Sequence, residues 1–250
     1  AQYPASTALA TIGPDDTMQD AVWKALAKAV PERVIGGNGR IPNVPFFSGT
    51  DSREAEDREW GCMFFNGATA GGASSSTDGW PLIMTSAGMG GLKILSVEMS
   101  EMLYPMRIDR QEIGTDSMGH GEYHGGPGVN IQISPTSGAM ECNLFGDGQL
   151  NPPFGVMGGT QGMGGGSYKE SLTTGKRTYC SSKGRIIIAE DEVWVGESSG
   201  GGGYGIALSR DPELVLGSVL EGLLSVACAK RVYGVVIDAA TMTVDPKKTK

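Results

Sequence analysis

Hydrophobic and polar positions alternate with two different periods along this chain. Over residues 17–30, Met18, Val22, Leu26 and Val30 recur at helical spacing; Asp15 or Asp16 is in place to cap the segment and Pro31 to stop it. A second helix is predicted over 212–224, with Asp211 as cap, Pro212 in the first turn and Leu216, Val219, Leu220 and Leu223 as its apolar stripe. Residues 226–233 form a short third helix ahead of the extended phrase VVID. Between the two long helices the period drops toward two: GCMFFN, PLIM, MRIDRQEI, VNIQIS, AMECNLF, RIIIA and EVWVG all read as strands. KGRIIIAEDEVWVG reads as a hairpin turning at AEDE, while FFSGTDSREAEDREW and NGATAGGASSSTDGW read as exposed connections. The expected fold is α+β and β-rich, with mostly antiparallel sheet and a few helices near both ends.

Composition sharpens this picture in one respect. Forty of the 250 residues are glycine, against a usual share of about 7%. They follow no G-X-Y period, so collagen is excluded and tight loops or close backbone contacts are favoured. A 39% apolar share suffices for a core. The net charge of −8 disfavours nucleic acid and anionic membrane as partners, the basic residues being concentrated only in the terminal KKTK. No window has eighteen uninterrupted apolar residues, and no signal peptide opens the chain, so a cytoplasmic location is expected. Cys62, Cys142, Cys180 and Cys228 lack CxxC spacing and read as reduced thiols.

Candidate chemistry lies on the glycine-rich phrases. His120 and His124 flank Glu122 in MGHGEYHGGPG; they are metal-ligand types, but Gly121, Gly125 and Gly126 rule out the helix that HEXXH requires, and a polar turn is the plainer reading. GDG places Asp147 between Gly146 and Gly148 just after a strand, where the carboxylate could orient a substrate or cap its own turn. NPPFGVMGG, with Gly158 and Gly159, brings bare backbone N–H groups together to approach a ligand or a partner backbone. SSGGGGYG, with Gly201, Gly202 and Tyr204, permits either positive φ or very close packing. Neither a P-loop nor a dinucleotide fingerprint is present, and no GxSxG elbow supports Ser198 or Ser199 as a nucleophile.

In this order GEYHGGPG, LFGDG, NPPFGVMGG and SSGGGGYG, followed by RDPELVLGSVLEGLLS and AKRVYGVVID, resemble the C-terminal half of the B-type subunit of the hydantoinase/oxoprolinase family. That family includes N-methylhydantoinase, 5-oxoprolinase and the acetone and acetophenone carboxylases. Upstream, MQDAVWKALAKAVPERV and SEMLYPMRIDRQEIGTDSMG match more loosely. The resemblance implies that residues 1–250 are a C-terminal portion of such a subunit, with 1–105 a looser α/β part and 106–250 a β-rich part. It implies a hetero-oligomer acting on a small-molecule substrate. An A-type subunit would bind ATP and Mg, and a divalent metal would sit on a partner chain or on the B-type N-terminal half. The implied reaction is ATP-dependent hydrolysis of a cyclic amide, a hydantoin or lactam. Ketone carboxylation is the alternative, and a non-catalytic structural subunit is the reading of another class. The sequence departs from the family at His124, where relatives commonly carry the Arg of an RGG phrase, and around DGWPLIMTSAGMGG, which lacks their His and Asn.

Overall fold

The computed structural model describes residues 12–39, 45–65, 67, 69–83, 94–146 and 148–249. Its strands are β1 (Phe46–Asp51), β2 (Arg58–Met63), β3 (Met106–Ile113), β4 (Val129–Pro135), β5 (Met140–Phe145), β6 (Gly166–Ser171), β7 (Arg177–Tyr179), β8 (Lys183–Ile188), β9 (Glu192–Glu197), β10 (Ile237–Asp238) and β11 (Thr243–Val244). Its helices are α1 (Ile12–Leu26), α2 (Val97–Leu103), α3 (Pro212–Leu220) and α4 (Val226–Tyr233). The fold is therefore α+β and β-rich, and among the described residues all pairings between these strands are antiparallel.

Two sheets form the body, one ordered β2-β1-β5-β8 and the other β3-β4-β9-β6-β7. Alternate side chains from each meet in one core. Phe47 and Cys142 come from the first sheet; Ile108, Ile131, Ile133 and Trp194 come from the second. The period of two in VNIQIS decides which face of β4 turns inward. Phe47 and Trp194 meet edge to face across the sheets with ring centroids 5.4 Å apart, and burying each ring contributes about 2–3 kcal/mol. The first sheet joins strands from both sides of residue 105.

AEDE does turn sharply, with the Glu192 N–H donating to the Ala189 carbonyl at 3.0 Å. It does not close a hairpin. β8 pairs with β5, whereas β9 lies between β4 and β6, so the turn is a corner that carries the chain from one sheet to the other. Glu192 braces it by accepting from the Ala189 N–H through its side chain. FFSGTDSREAEDREW is the β1–β2 hairpin with a loop at 52–57, and only that loop is the exposed connection expected. PLIM is not a strand as far as residue 83; Met84 lies outside the described residues.

α3 begins as expected, with the Asp211 side chain accepting from the Glu213 N–H and Pro212 in the first turn, but it ends at Leu220. Val215 and Ser218 face inward, while Leu220 is exposed. α4 spans the expected residues between a Ser225 cap and Gly234, whose φ of 69° ends it in the left-handed conformation. Together α3 and α4 bury Val215, Cys228, Ala229 and Tyr233 in a second core. On α1 the stripe is reversed. Met18, Val22 and Leu26 are 60%, 56% and 43% exposed, and the inward positions are Asp20, which is buried, and the half-buried Trp23 and Ala27. Among the described residues no helix is long and apolar enough to cross a membrane.

Candidate functional site

Beside the sheets, the glycine phrases converge in a bundle of extended segments. Its axis is residues 200–204. The Gly201 N–H donates to the Gly126 carbonyl (2.9 Å) while its own carbonyl accepts from Gly119 (2.7 Å). Gly202 donates to Gly37 (2.8 Å) and accepts from Ala73 (2.9 Å); Gly203 donates to Thr160 (3.0 Å) and accepts from Val156 (2.9 Å). At Tyr204 the bonds return to the first neighbour, a reciprocal pair with Tyr123. Three successive residues thus point in three directions, as in a polyproline II helix with three residues per turn. The peptides that such a helix normally exposes to water are satisfied here by surrounding chain.

Side chains are excluded by this geometry. A Cβ at Gly201 would stand 1.9 Å from the Gly71 carbonyl oxygen, at Gly202 1.8 Å from that of Phe154, and at Gly159 2.2 Å from that of Gly203. Close approach therefore accounts for Gly201, Gly202 and Gly159, and their nearest neighbours are the chain's own backbone. Positive φ accounts for Gly158, at 92°, and for Gly148, at 87°. Residues 69–73 of the phrase expected at a surface or an interface belong to the bundle: Thr69, Ala70 and Ala73 are buried, and the Gly126 N–H donates to Gly71. Gly146 is half-buried at the end of β5; Asp147 lies outside the described residues.

Polar side chains line the flank of the bundle that faces α3 and α4. His120 is fixed through its backbone N–H, which donates to Thr160 Oγ1 at 2.7 Å. Its ring lies 3.1 Å from the Tyr233 hydroxyl through Nδ1 and 3.6 Å from Cys228 Sγ through Nε2. Burial lowers the His120 pKa despite Asp116 nearby. It also pushes the Cys228 thiol up to about 11 and raises Tyr233. All three are neutral at pH 7, so no thiolate nucleophile forms here.

His124 belongs to a separate network. Its Nδ1 lies 2.8 Å from the Gly125 carbonyl, and its Nε2 lies 3.4 Å from Ser218 Oγ, whose hydroxyl donates to the Leu214 carbonyl, and 3.5 Å from Asp78 Oδ2. Its backbone N–H donates to Asp78 Oδ1 at 2.8 Å. Arg210 donates to both oxygens of Asp78, at 2.7 and 2.8 Å, and to the Glu122 carbonyl at 2.9 Å. The Arg210 side chain is 3% exposed and that of Asp78 35%, so the carboxylate stands at the mouth of the network with the guanidinium sealed behind it. Burial opposes ionisation of Asp78, but the Arg210 bonds and neighbouring His124 outweigh it and hold the carboxyl below its ordinary 3.8. A carboxylate so held is an orienting anion and a weak proton acceptor.

The two imidazoles are thus each engaged separately. Among the described residues no three His, Cys, Asp or Glu side chains come together in a group that could hold a metal ion. Sequence reasoning missed Asp78 and Arg210, whose pairing spans 132 positions; the only local hint was the turn phrase STDGW.

Burial lowers the His124 pKa from its ordinary 6.5. Below about pH 6.5 the unfolded chain then binds a proton that the folded chain refuses, so this contribution to stability is complete above that pH and is lost as pH falls. The depressed Asp78 carboxyl adds its own loss only as pH falls below 3.8. Denaturant midpoints measured between roughly pH 7 and 5 should fall, and His124→Gln should remove part of the slope, leaving the share of His120. A flat profile in the parent chain would contradict this reading.

The family model of hydantoinase B/oxoprolinase matches residues 1–207. The chain is 32% identical over 241 residues to the beta subunit of caprolactamase from Pseudomonas jessenii, covering 95% of this chain and 41% of that protein. It is 28% identical over 238 residues to the B-type subunit of a putative D-/L-hydantoinase from Pseudomonas sp. (strain NS671), covering 94% and 38%. In structure it resembles the ATP-dependent caprolactamase from Pseudomonas jessenii with a TM-score of 0.80 at 28% identity, over 96% of this chain and 42% of that one. The nucleotide-free acetone carboxylase gives 0.76 at 19% identity, over 91% and 35%, a likeness of fold alone. The chain spans about two fifths of the length of these curated relatives.

Proposed function

This chain belongs to the hydantoinase B/oxoprolinase family, and on that footing we propose that it works inside a hetero-oligomer hydrolysing a cyclic amide at the expense of ATP. The observation that carries this reading is the likeness to caprolactamase in sequence and fold together, over nearly the whole chain. Likeness to acetone carboxylase supports a ketone carboxylase less strongly, because it extends to the fold only. A purely structural role in the complex remains the reading of another class. ATP and Mg belong, in this proposal, to an A-type partner subunit, and a divalent metal to a partner chain or to the segment equivalent to the B-type N-terminal half. In this proposal the present chain contributes the glycine bundle as a backbone scaffold and, from the GDG phrase, the carboxylate of Asp147.

Asp147 is the proposed substrate-orienting carboxylate. In the assembled complex, Asp147→Asn keeps an acceptor for the local turn, so the melting temperature should hold while turnover falls at least about tenfold, roughly 1.4 kcal/mol in the barrier. Unchanged turnover would remove this residue from the site. The function itself is tested by co-expressing the chain with an A-type subunit and the remaining B-type segment and following ATP consumption with caprolactam, hydantoin and 5-oxoproline. Ring opening coupled to ATP supports hydrolysis. Consumption of acetone and bicarbonate without ring opening transfers the assignment to carboxylation, and turnover by the isolated chain would defeat the complex.

A further inference from the structure

The segment running from the β6–β7 hairpin into the start of β8 carries a charge pattern opposite to that of the whole molecule. Residues 169–185 hold Lys169, Lys176, Arg177, Lys183 and Arg185 against the single acid Glu170, in a chain of net charge −8. This corrects the expectation that basic residues gather only in KKTK. Lys169 pairs with Glu192, Arg177 with Glu170 and Arg185 with Glu141, whereas the ammonium groups of Lys176 and Lys183 meet no carboxylate among the described residues.

β7 is also an edge. Ser171 donates to the Lys176 carbonyl and Cys180 to that of Ser167, and β6 and β7 pair Tyr168 with Tyr179 and Glu170 with Arg177. By antiparallel alternation, the N–H and C=O groups of Arg177 and Tyr179 therefore point away from β6, toward the open side of the sheet. Residues 172–179 are all exposed, Tyr179 by 76%. Its ring lies 5.6 Å from that of Tyr168, over which Arg177 stacks at 4.8 Å. Backbone groups, cations and an exposed aromatic ring thus share one edge.

We propose that this edge receives an extended acidic segment of another polypeptide chain, added as a further strand beside β7. Main-chain bonds to Arg177 and Tyr179 would supply affinity, and the unpaired charge of Lys176 beside them would select acidic side chains. The inference does not depend on which reaction the complex catalyses.

The test uses the full chain and a short synthetic peptide alternating Glu and Val. Binding should weaken with salt, and amide exchange at Arg177 and Tyr179 should slow on binding. Lys176→Glu, at an exposed position, should weaken binding at least about tenfold without changing the melting temperature. Equal binding of a single-stranded oligonucleotide without amide protection would overturn the proposal in favour of general anion attraction. Absence of peptide binding, together with self-association of Lys176→Val, would overturn it too, leaving the lysines as guards against edge pairing.

Discussion

Gly202→Ala is expected to lower stability by more than about 3 kcal/mol, enough to leave much of the chain unfolded at ordinary temperature. The added methyl would sit 1.8 Å from the Phe154 carbonyl oxygen and 3.0 Å from the Gly37 nitrogen, which are backbone atoms of two different segments. Neither can rotate away as a side chain would. Both segments are also held by Gly202 itself or its neighbours, since Gly202 donates to Gly37 and Gly203 accepts from Val156. Opening one contact therefore stretches several bonds. Gly217→Ala is the control: it lies in α3 with nothing within 4 Å of the new Cβ, and should gain about 0.5–1 kcal/mol of helix stability. Thermal melts of the two variants beside the parent decide the matter. A Gly202→Ala midpoint within about 3 °C of the parent would show the bundle to be looser than described.

The second large effect is expected from Asp78→Ala, at about 3–5 kcal/mol. Arg210 would remain sealed in the interior with the Glu122 carbonyl as its remaining acceptor, and the His124 N–H would lose its partner. The cost arises from leaving a charge buried without its counter-ion rather than from the attraction of the pair in the parent. Adding Arg210→Met should accordingly restore part of the loss. Chemical denaturation of the parent, the single variant and the double variant measures both quantities. If the double variant proves less stable than Asp78→Ala alone, the guanidinium has found water or another acceptor and the argument fails.

What the sequence disclosed about this fold follows the range of the interaction. α4 was legible because Ser225, Gly234 and the apolar spacing between them are all local, and β3, β4, β5 and β9 because alternation is local too. The corner between β8 and β9 was misread because the turn at Ala189–Glu192 has the same chemistry in a hairpin and in a crossing; only distant partners distinguish them. α1 was expected over 17–30 but runs Ile12–Leu26, so that Asp15 and Asp16 lie inside it rather than at its cap, and it was faced wrongly, since its periodic apolar residues are exposed while Asp20 turns inward. At the site, the glycine phrases announced close approach without saying to what. The answer is each other, through bonds joining positions as far apart as Gly37 and Gly202. Asp78 and Arg210 sit in the phrases STDGW and RDPELVLG, but nothing in either phrase announced their pairing, because a lone Asp and a lone Arg each read as surface.

The axis of the bundle has a consequence for how the protein is made. Gly36 and Gly39 donate to Ala73 and Ala70, but the Gly37 carbonyl and the Ala73 N–H find their partner at Gly202, so about 130 residues must be added after Ala73 before the bundle can close. At ribosomal speeds of roughly 5–20 residues per second, those two groups wait on the order of ten seconds for their native partner. The nascent chain spends that interval presenting glycine-rich, adhesive backbone, and this protein's yield in a cell should therefore respond more to elongation rate and to holding chaperones than its final stability would suggest.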